Sequence, residues 1–270
     1  MEQAQKGVAL ITGASSGIGA IYAERLARRG HDLILVARNR QRLDSVAARI
    51  ARETGRKVEV LAADLTDPAG VARVEEVLRT DPRLSLLVNN AGVGASAPLL
   101  ASNAGKMSQM IALNADVLMR LTYAAAPAFV ARSAGTIINI ASVVAIRPEI
   151  LNGVYAGTKA FVLAFSQSLR NELADKGVRV QVVLPGATAT DFWADAGLPV
   201  ENLPAEIVMP ASEMVDAALA GLDQGEFATL PALPNPADWI AYDNARQALF
   251  PNLSHASAAD RYRVALKTAA

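Results

Sequence analysis

Cysteine is absent from the 270 residues. That removes disulfide scaffolds, thiolate metal sites and cysteine nucleophiles together. Histidine is almost absent: His31 and His255 are the only two. They lie too far apart for a two-histidine helix motif, so no metal site is expected. Neither sign of charge is in excess, since 26 basic residues balance 26 acidic ones. A protein bound to nucleic acid chiefly by counterion release is thereby excluded. No apolar run approaches the roughly 18 residues needed to span a bilayer, so no membrane partner is expected. Residues 1–6 are polar, and the apolar run 8–11 behind them is too short for a signal-peptide core. The expectation is a soluble, unprocessed, cytoplasmic chain without internal repeats or low-complexity tracts.

What is present is a large apolar fraction, 52% of the chain, arranged in short β-rich runs at residues 8–11, 33–36, 58–61, 86–88, 136–140, 178–184 and, weakly, 227–230. The runs are continuous rather than alternating, as in strands buried on both faces of a parallel sheet. Helical patterns at 18–29, 40–52, 69–79, 106–132, 154–176 and 212–222 separate them. Strand and helix in regular alternation, with right-handed crossovers, predict an α/β, doubly wound, Rossmann-like sheet in one domain. Residues 191–210 and 230–236 carry many prolines and no clear period. The first stretch is expected to form a lid. The chain from 230 to 270 reads as a C-terminal extension with helices near 237–249 and 258–267.

The first run feeds into Gly13-Ala14-Ser15-Ser16-Gly17-Ile18-Gly19 and then a helix. Glycines allow a pyrophosphate to approach the backbone closely, and the helix start presents free N–H groups and partial positive charge. The same residues also read as G-x-S-x-G, the nucleophile elbow of serine hydrolases, with Ser15 followed by Asp191 or Asp238 and then His255. Against that reading, no strand precedes the elbow to donate a second oxyanion N–H, and His255 sits in a Ser/Ala-rich stretch.

A dinucleotide site tests the ribose about 20 residues beyond the turn, where an acid suits NAD and a cation suits a 2′-phosphate. Ala37 stands where the acid is expected and Arg38 follows. A guanidinium binds phosphate through paired, charge-assisted hydrogen bonds, which favours NADP(H). Arg40 and Arg42 read as the outer face of the next helix.

Tyr155 and Lys159 lie four residues apart at the start of a predicted helix and share its face. Ser142 lies 13 residues before Tyr155, just past the run 136–140. Strand ends and helix starts converge on the carboxyl edge of such a sheet, where ligands bind. With these three residues, Thr12–Gly19, Asp64, Asn89-Asn90-Ala91-Gly92, Asn114 and Pro185-Gly186 in this order, the chain resembles the short-chain dehydrogenase/reductase family over roughly residues 6 to 190. The resemblance implies a seven-stranded parallel sheet and a homotetramer or homodimer.

It also implies roles. Tyr155 is the acid/base, its pKa expected to be lowered by the Lys159 ammonium and by oxidised nicotinamide. Ser142 orients the substrate oxygen. Asn114, on an otherwise apolar helical stripe, holds water on a proton path to Lys159, unless it is simply a packing asparagine. Gly13, Ser15, Ser16, Gly17, Ile18, Gly19, Arg38, Asp64, Leu65, Asn90, Ala91, Gly92, Pro185, Gly186, Thr188 and Thr190 join Tyr155 and Lys159 as cofactor contacts. Asp64 has the alternative of capping a turn. Val144, Asn152, Phe192 and Trp193 are expected, with Ser142 and Tyr155, to meet substrate.

This wall is mostly apolar. The expected substrate is a small to medium apolar ketone or aldehyde, or its alcohol. A 3-oxoacyl thioester is the alternative within the family, and a non-catalytic nucleotide-binding regulator lies outside it. The apolar faces of 106–132 and 154–176, including Phe161, Val162 and Phe165, are expected to meet another subunit. If Arg38 reads the 2′-phosphate, Arg38→Ala weakens NADPH binding at least about tenfold while NADH binding changes little. Calorimetric titration with each dinucleotide checks this, and equal losses would refute it.

Overall fold

The computed structural model describes residues 6–262. The chain runs β1 (Val8–Thr12), α1 (Gly17–Arg28), β2 (Asp32–Ala37), α2 (Arg40–Thr54), β3 (Val58–Ala62), α3 (Pro68–Thr80) and β4 (Leu84–Asn89). α4 (Ala104–Ile111) passes through a π-helical turn, Ala112–Val117, into α5 (Leu118–Ala131), followed by β5 (Gly135–Ile140) and α6 (Gly153–Leu173). Then come β6 (Val178–Val183), β7 (Thr188–Ala189), α7 (Phe192–Asp195), β8 (Met209–Pro210), α8 (Ala211–Asp223) and β9 (Ala228–Thr229). Seven strands pair in parallel in the order β3-β2-β1-β4-β5-β6-β9, and β7 and β8 form a separate parallel pair. The expected doubly wound sheet is therefore present.

The pleat explains why the strand runs are apolar at every position. Ala9, Ile11, Leu33, Leu35, Val88 and Ile138 point to one face, against α1, α2 and α8. Val8, Leu10, Ile34, Val36, Leu87 and Ile137 point to the other, against α3, α5 and α6. Each fully buried Leu or Ile contributes about 2 kcal/mol relative to exposure, so both layers hold the helices down. Helix starts are written in the sequence: Asn39 accepts from Arg42 N at 2.9 Å, and Asp67 accepts from Ala69 N at 3.2 Å with Pro68 in the first turn.

Three details differ from expectation. Residues 106–132 are not one α-helix, because a π turn centred near Asn114 interrupts them. The run 58–61 forms an edge strand whose Glu59 is exposed and bonded to Arg83 Nη1 at 2.9 Å; such a charge blunts an open sheet edge. Val162 is fully buried within its own fold, so it is no interface residue, whereas Phe161 and Tyr123 are exposed and stack on Phe165.

The described chain divides into two compact units after Pro231, beside the expected start of the extension at 230. The unit from Ala232 contains α9 (Pro236–Ala248), capped by Asn235 and with no buried residue, and two single 3₁₀ turns. The helix expected at 258–267 falls largely outside the described residues; its described part holds the turn Asp260–Tyr262.

His31 lies just before β2, half-buried, with its Nδ1 unpartnered. Burial, followed by the charge of Lys6, pulls its pKa down to about 4. The unfolded chain takes up this proton near pH 6.5 and the folded chain does not. Folding stability is therefore full above pH 6.5 and falls as pH drops from 6.5 to about 4. Denaturant melts across that range should show the slope in the wild type and a flatter line in His31→Asn.

Candidate active site

The polar crevice lies where the chain reverses direction across the sheet, between the carboxyl ends of β1 and β4. The buried Thr12 hydroxyl donates to Val88 O at 3.3 Å and accepts from Asn90 N and Ala91 N, both at 3.0 Å. Asn90 Nδ2 donates to Thr12 O and Gly13 O. These bonds hold the glycine turn against the loop after β4. Gly13 and Gly17 take left-handed φ values of 68° and 51°, which only glycine adopts readily. A side chain at Gly19 would collide with Gly13 O. Ser16 stands at the N-cap of α1 without making a side-chain cap, Ser15 and Ile18 are partly exposed beside it, and no acid occupies the first turn. The free N–H groups and close backbone approach fit a diphosphate.

Arg38 is exposed at the end of β2 and makes no ion pair or hydrogen bond among the described residues. Its charge reaches Asp64. Asp64 accepts from Thr66 N and Oγ1 at 2.9 and 2.8 Å, and these bonds, more than Arg38, hold its carboxyl below the usual range. The cap of α3 is Asp67. The Leu65 side chain is buried in the core, which leaves its backbone for any ligand contact.

Tyr155 and Lys159 emerge from the first turns of α6 and are 6% and 7% exposed. Asn152 caps this helix, accepting from Val154 N at 2.9 Å and Tyr155 N at 3.3 Å. Its amide nitrogen donates to Ala97 O and Ser102 Oγ. Each polar atom of Asn152 is thus engaged, so the structure makes it a clamp on the catalytic helix. The Lys159 ammonium donates to Ile140 O at 2.9 Å and lies 5.8 Å from the Tyr155 ring centre. Burial pulls its pKa down to about 8. Burial also pushes Tyr155 up to about 12, partly offset by the Ser142 hydroxyl. The expected lowering of Tyr155 is absent from the protein by itself: the lysine spends its hydrogen bond on a carbonyl, and desolvation of the phenol dominates.

Ser142 follows β5 in extended backbone and caps the turn Val143–Ala145. Its hydroxyl lies 3.4 Å from Pro185 O, which joins it to the loop after β6. Val144, Met110, Tyr155 and Ala156 form a small buried apolar cluster, with Leu151, Met107 and Phe192 packed on it. Phe192 lies 5.8 Å from Tyr155, centre to centre. Trp193 donates Nε1 to Thr188 O at 2.9 Å, so its polar atom anchors α7.

Asn114 is buried on the π turn. Its Oδ1 accepts from Val93 N at 2.9 Å, and its Nδ2 donates to Val93 O at 2.8 Å and Thr158 Oγ1 at 3.2 Å. The amide is fully spent as a clamp between α6 and the loop holding Gly92, where an added side chain would meet Asn114 Oδ1 at 3.0 Å. Thr158 and its hydroxyl were not legible as site residues; a threonine inside a helix carries no signal of its own. Beyond β6 there is open space over Gly186. Thr188 is buried, whereas Thr190 comes close to Gly17, its Cγ2 3.2 Å from where a Gly17 side chain would begin. His255 is exposed in an irregular stretch and makes no hydrogen bond among the described residues, so nothing positions it as the base of a Ser15 hydrolase.

The chain is similar to known proteins in sequence and in fold. The family model described as short chain dehydrogenase matches residues 7–199. A short-chain dehydrogenase from Sphingobium yanoikuyae, solved in complex with NADPH, is 52% identical, with a TM-score of 0.92 over 95% of this chain and 100% of that one. The bulky-bulky ketone specific alcohol dehydrogenase from Comamonas testosteroni is 45% identical, with a TM-score of 0.87 over 95% and 98%. The very-long-chain 3-oxoacyl-CoA reductase of Bos taurus is 35% identical over 186 residues, 67% of this chain and 59% of that relative. The chain belongs to the short chain dehydrogenase family and is an oxidoreductase of that family.

Proposed function

We propose that this protein reduces a small to medium, mostly apolar ketone or aldehyde to its alcohol with NADPH, or runs the reverse reaction. The observation that carries the reading is a buried tyrosine, Tyr155, set between the Ser142 hydroxyl and an apolar wall, with Lys159 one helical turn behind it. Tyr155, protonated throughout the neutral range, donates its proton to the carbonyl oxygen, and Ser142 donates a second hydrogen bond that holds that oxygen. When bound, the dinucleotide supplies the hydride to the carbonyl carbon. Lys159 carries positive charge behind Tyr155 and favours the tyrosinate left after proton transfer. Asn114 and Asn152 keep these groups in place by clamping α6 at Thr158 and at its first turn.

The glycine turn with Ser15 and Ser16, the backbone of Asn90–Gly92 and the edge at Pro185, Gly186 and Thr190 would hold the dinucleotide. Asp64 and the Leu65 backbone would meet its adenine end. Arg38 favours a 2′-phosphate, and the NADPH complex of the Sphingobium yanoikuyae relative supports this choice. The ketone-specific relative favours an apolar ketone. The bovine relative favours the second reading, a 3-oxoacyl thioester; among the described residues the side chains packed in the cluster around Tyr155 are apolar, which suits a carrier's phosphates poorly. A homodimer or homotetramer fits the aromatic row in which the exposed Tyr123 and Phe161 stack on the half-buried Phe165.

Two measurements test the site. Oxidation of NADPH should be followed with apolar ketones and with an acetoacetyl thioester. Tyr155→Phe should lose at least about 10³-fold in kcat for the ketones, with KM little changed; turnover confined to the thioester would overturn the ketone reading. Lys159 gives the second. A basic group held at about 8 instead of 10.5 destabilises the fold, fully so below pH 8. Lys159→Met should abolish turnover, yet leave the cofactor-free protein at pH 7 at least as stable as the wild type, because the relieved burial of charge offsets the lost bond to Ile140 O. A lower melting temperature in that variant would refute the assigned cost.

A further inference from the structure

Gly94 lies two residues beyond Gly92 in the loop after β4. It is not among the glycines with positive φ, so its backbone would accept an alanine without strain. The obstacle is a single side chain. A Cβ built on Gly94 would overlap Phe192 Cζ and sit 2.9 and 3.1 Å from its Cε1 and Cε2. The tip of the Phe192 ring therefore rests on the bare Cα of Gly94, while the ring itself lies 5.8 Å from that of Tyr155, tilted by 48°.

The segment carrying Phe192 is not free to withdraw. Ser96 N and Ser96 Oγ both donate to Ala196 O, at 3.1 and 2.9 Å, and tie the end of α7 to the same loop. Trp193 is bonded to Thr188 O and stands edge-on to Phe192 at 5.9 Å. With α7 pinned at both ends, a side chain at position 94 is accommodated by turning the Phe192 ring. That changes the space next to the Tyr155 ring.

We propose that Gly94 is a specificity-determining residue. Its missing side chain is the seat that holds Phe192 beside Tyr155, and the seated ring limits the size of one substituent on the carbonyl carbon. The proposal rests on the carbonyl-reductase reading of the site and adds a residue that acts through the Phe192 ring. It also predicts a dependence: Gly94 matters only while Phe192 is present.

The test is a two-by-two set of Gly94→Ala, Phe192→Ala and the double variant, assayed with NADPH against acetophenone and benzophenone, with thermal midpoints taken on the cofactor-free proteins. Phe192→Ala should raise the benzophenone-to-acetophenone ratio of kcat/KM at least about tenfold. Gly94→Ala should shift that ratio at least about fivefold and lower the midpoint by several degrees. In the Phe192→Ala background the same substitution should change the ratio less than about twofold and leave the midpoint unmoved. A Gly94→Ala protein that folds only in that background is the same result in stronger form. Equal effects in both backgrounds, or no shift of the ratio by Gly94→Ala, overturn the seat while the reductase reading stands. A wild type that turns over neither ketone, with the coupling of midpoints intact, overturns the reductase reading and the specificity role with it, and leaves Gly94 and Phe192 a packing pair.

Discussion

The site depends on one hydroxyl at the seam of the sheet. β1 and β4 are neighbours in space but are separated by two complete strand–helix units in sequence. Their carboxyl ends diverge, one into the glycine turn and one into the loop that runs to Gly94. Thr12 Oγ1 joins the two by accepting both N–H groups of that loop's first residues and donating to Val88 O. Asn90 adds the return bonds to Thr12 O and Gly13 O. A buried hydroxyl that satisfies two backbone donors in a low-dielectric seam resists opening, because each donor left unpaired costs about 1–3 kcal/mol. The glycine turn is therefore held rigidly although its own φ values are those of a flexible residue. Asn114 repeats the device one layer further along, with its amide spent on Val93 and Thr158.

Lys159 and Tyr155 show the opposite economy. The fold buries an ammonium with one carbonyl as its hydrogen-bond partner among the described residues and a phenol in an apolar cluster, and both pKa values move towards the neutral forms. Neither residue is there for stability. Their burial is tolerated because the sheet is sealed on both faces by helices, so that carboxyl ends of strands are the places where polar chemistry reaches the interior. In a dry site charge developing on a carbonyl oxygen is stabilised by few but well-placed donors, which is the part proposed for Ser142 and Tyr155.

Much of this was legible in the sequence because it is local. Continuous apolar runs mark strands covered on both faces, Asn39 and Pro68 mark helix starts, and Tyr155–Lys159 share a face by helical spacing alone. What was not legible is long-range. Asn152 is paired with Ala97 and Ser102, and no spacing rule links positions about 50 apart, so its role as the cap of α6 was not legible beside its reading as a substrate contact. The π turn at Asn114 depends on bonds to Val93 and Thr158, not on the propensity of residues 112–117. Val162 lies one position from the exposed Phe161, and only the rotation of α6 against β5 decides which of them faces outward. The Tyr155 pKa is a balance of burial against charge, and burial is invisible until the chain is folded.

The arginines close the argument about charge. A net charge of zero says nothing about where charge is left over. Arg25, Arg28, Arg29, Arg40, Arg49 and Arg83 are each matched with carboxylates on the surface, and such exposed pairs contribute little to stability. They do, however, cancel one another's fields. Arg38 makes no such pair, and its nearest influence is on Asp64, whose carboxyl is already occupied by Thr66. A positive group without an ion pair among the described residues at the carboxyl end of β2 adds a local positive potential that the composition hides. Neutrality of the whole is thus compatible with a local positive potential at one edge, because a sum of charges carries no information about their placement.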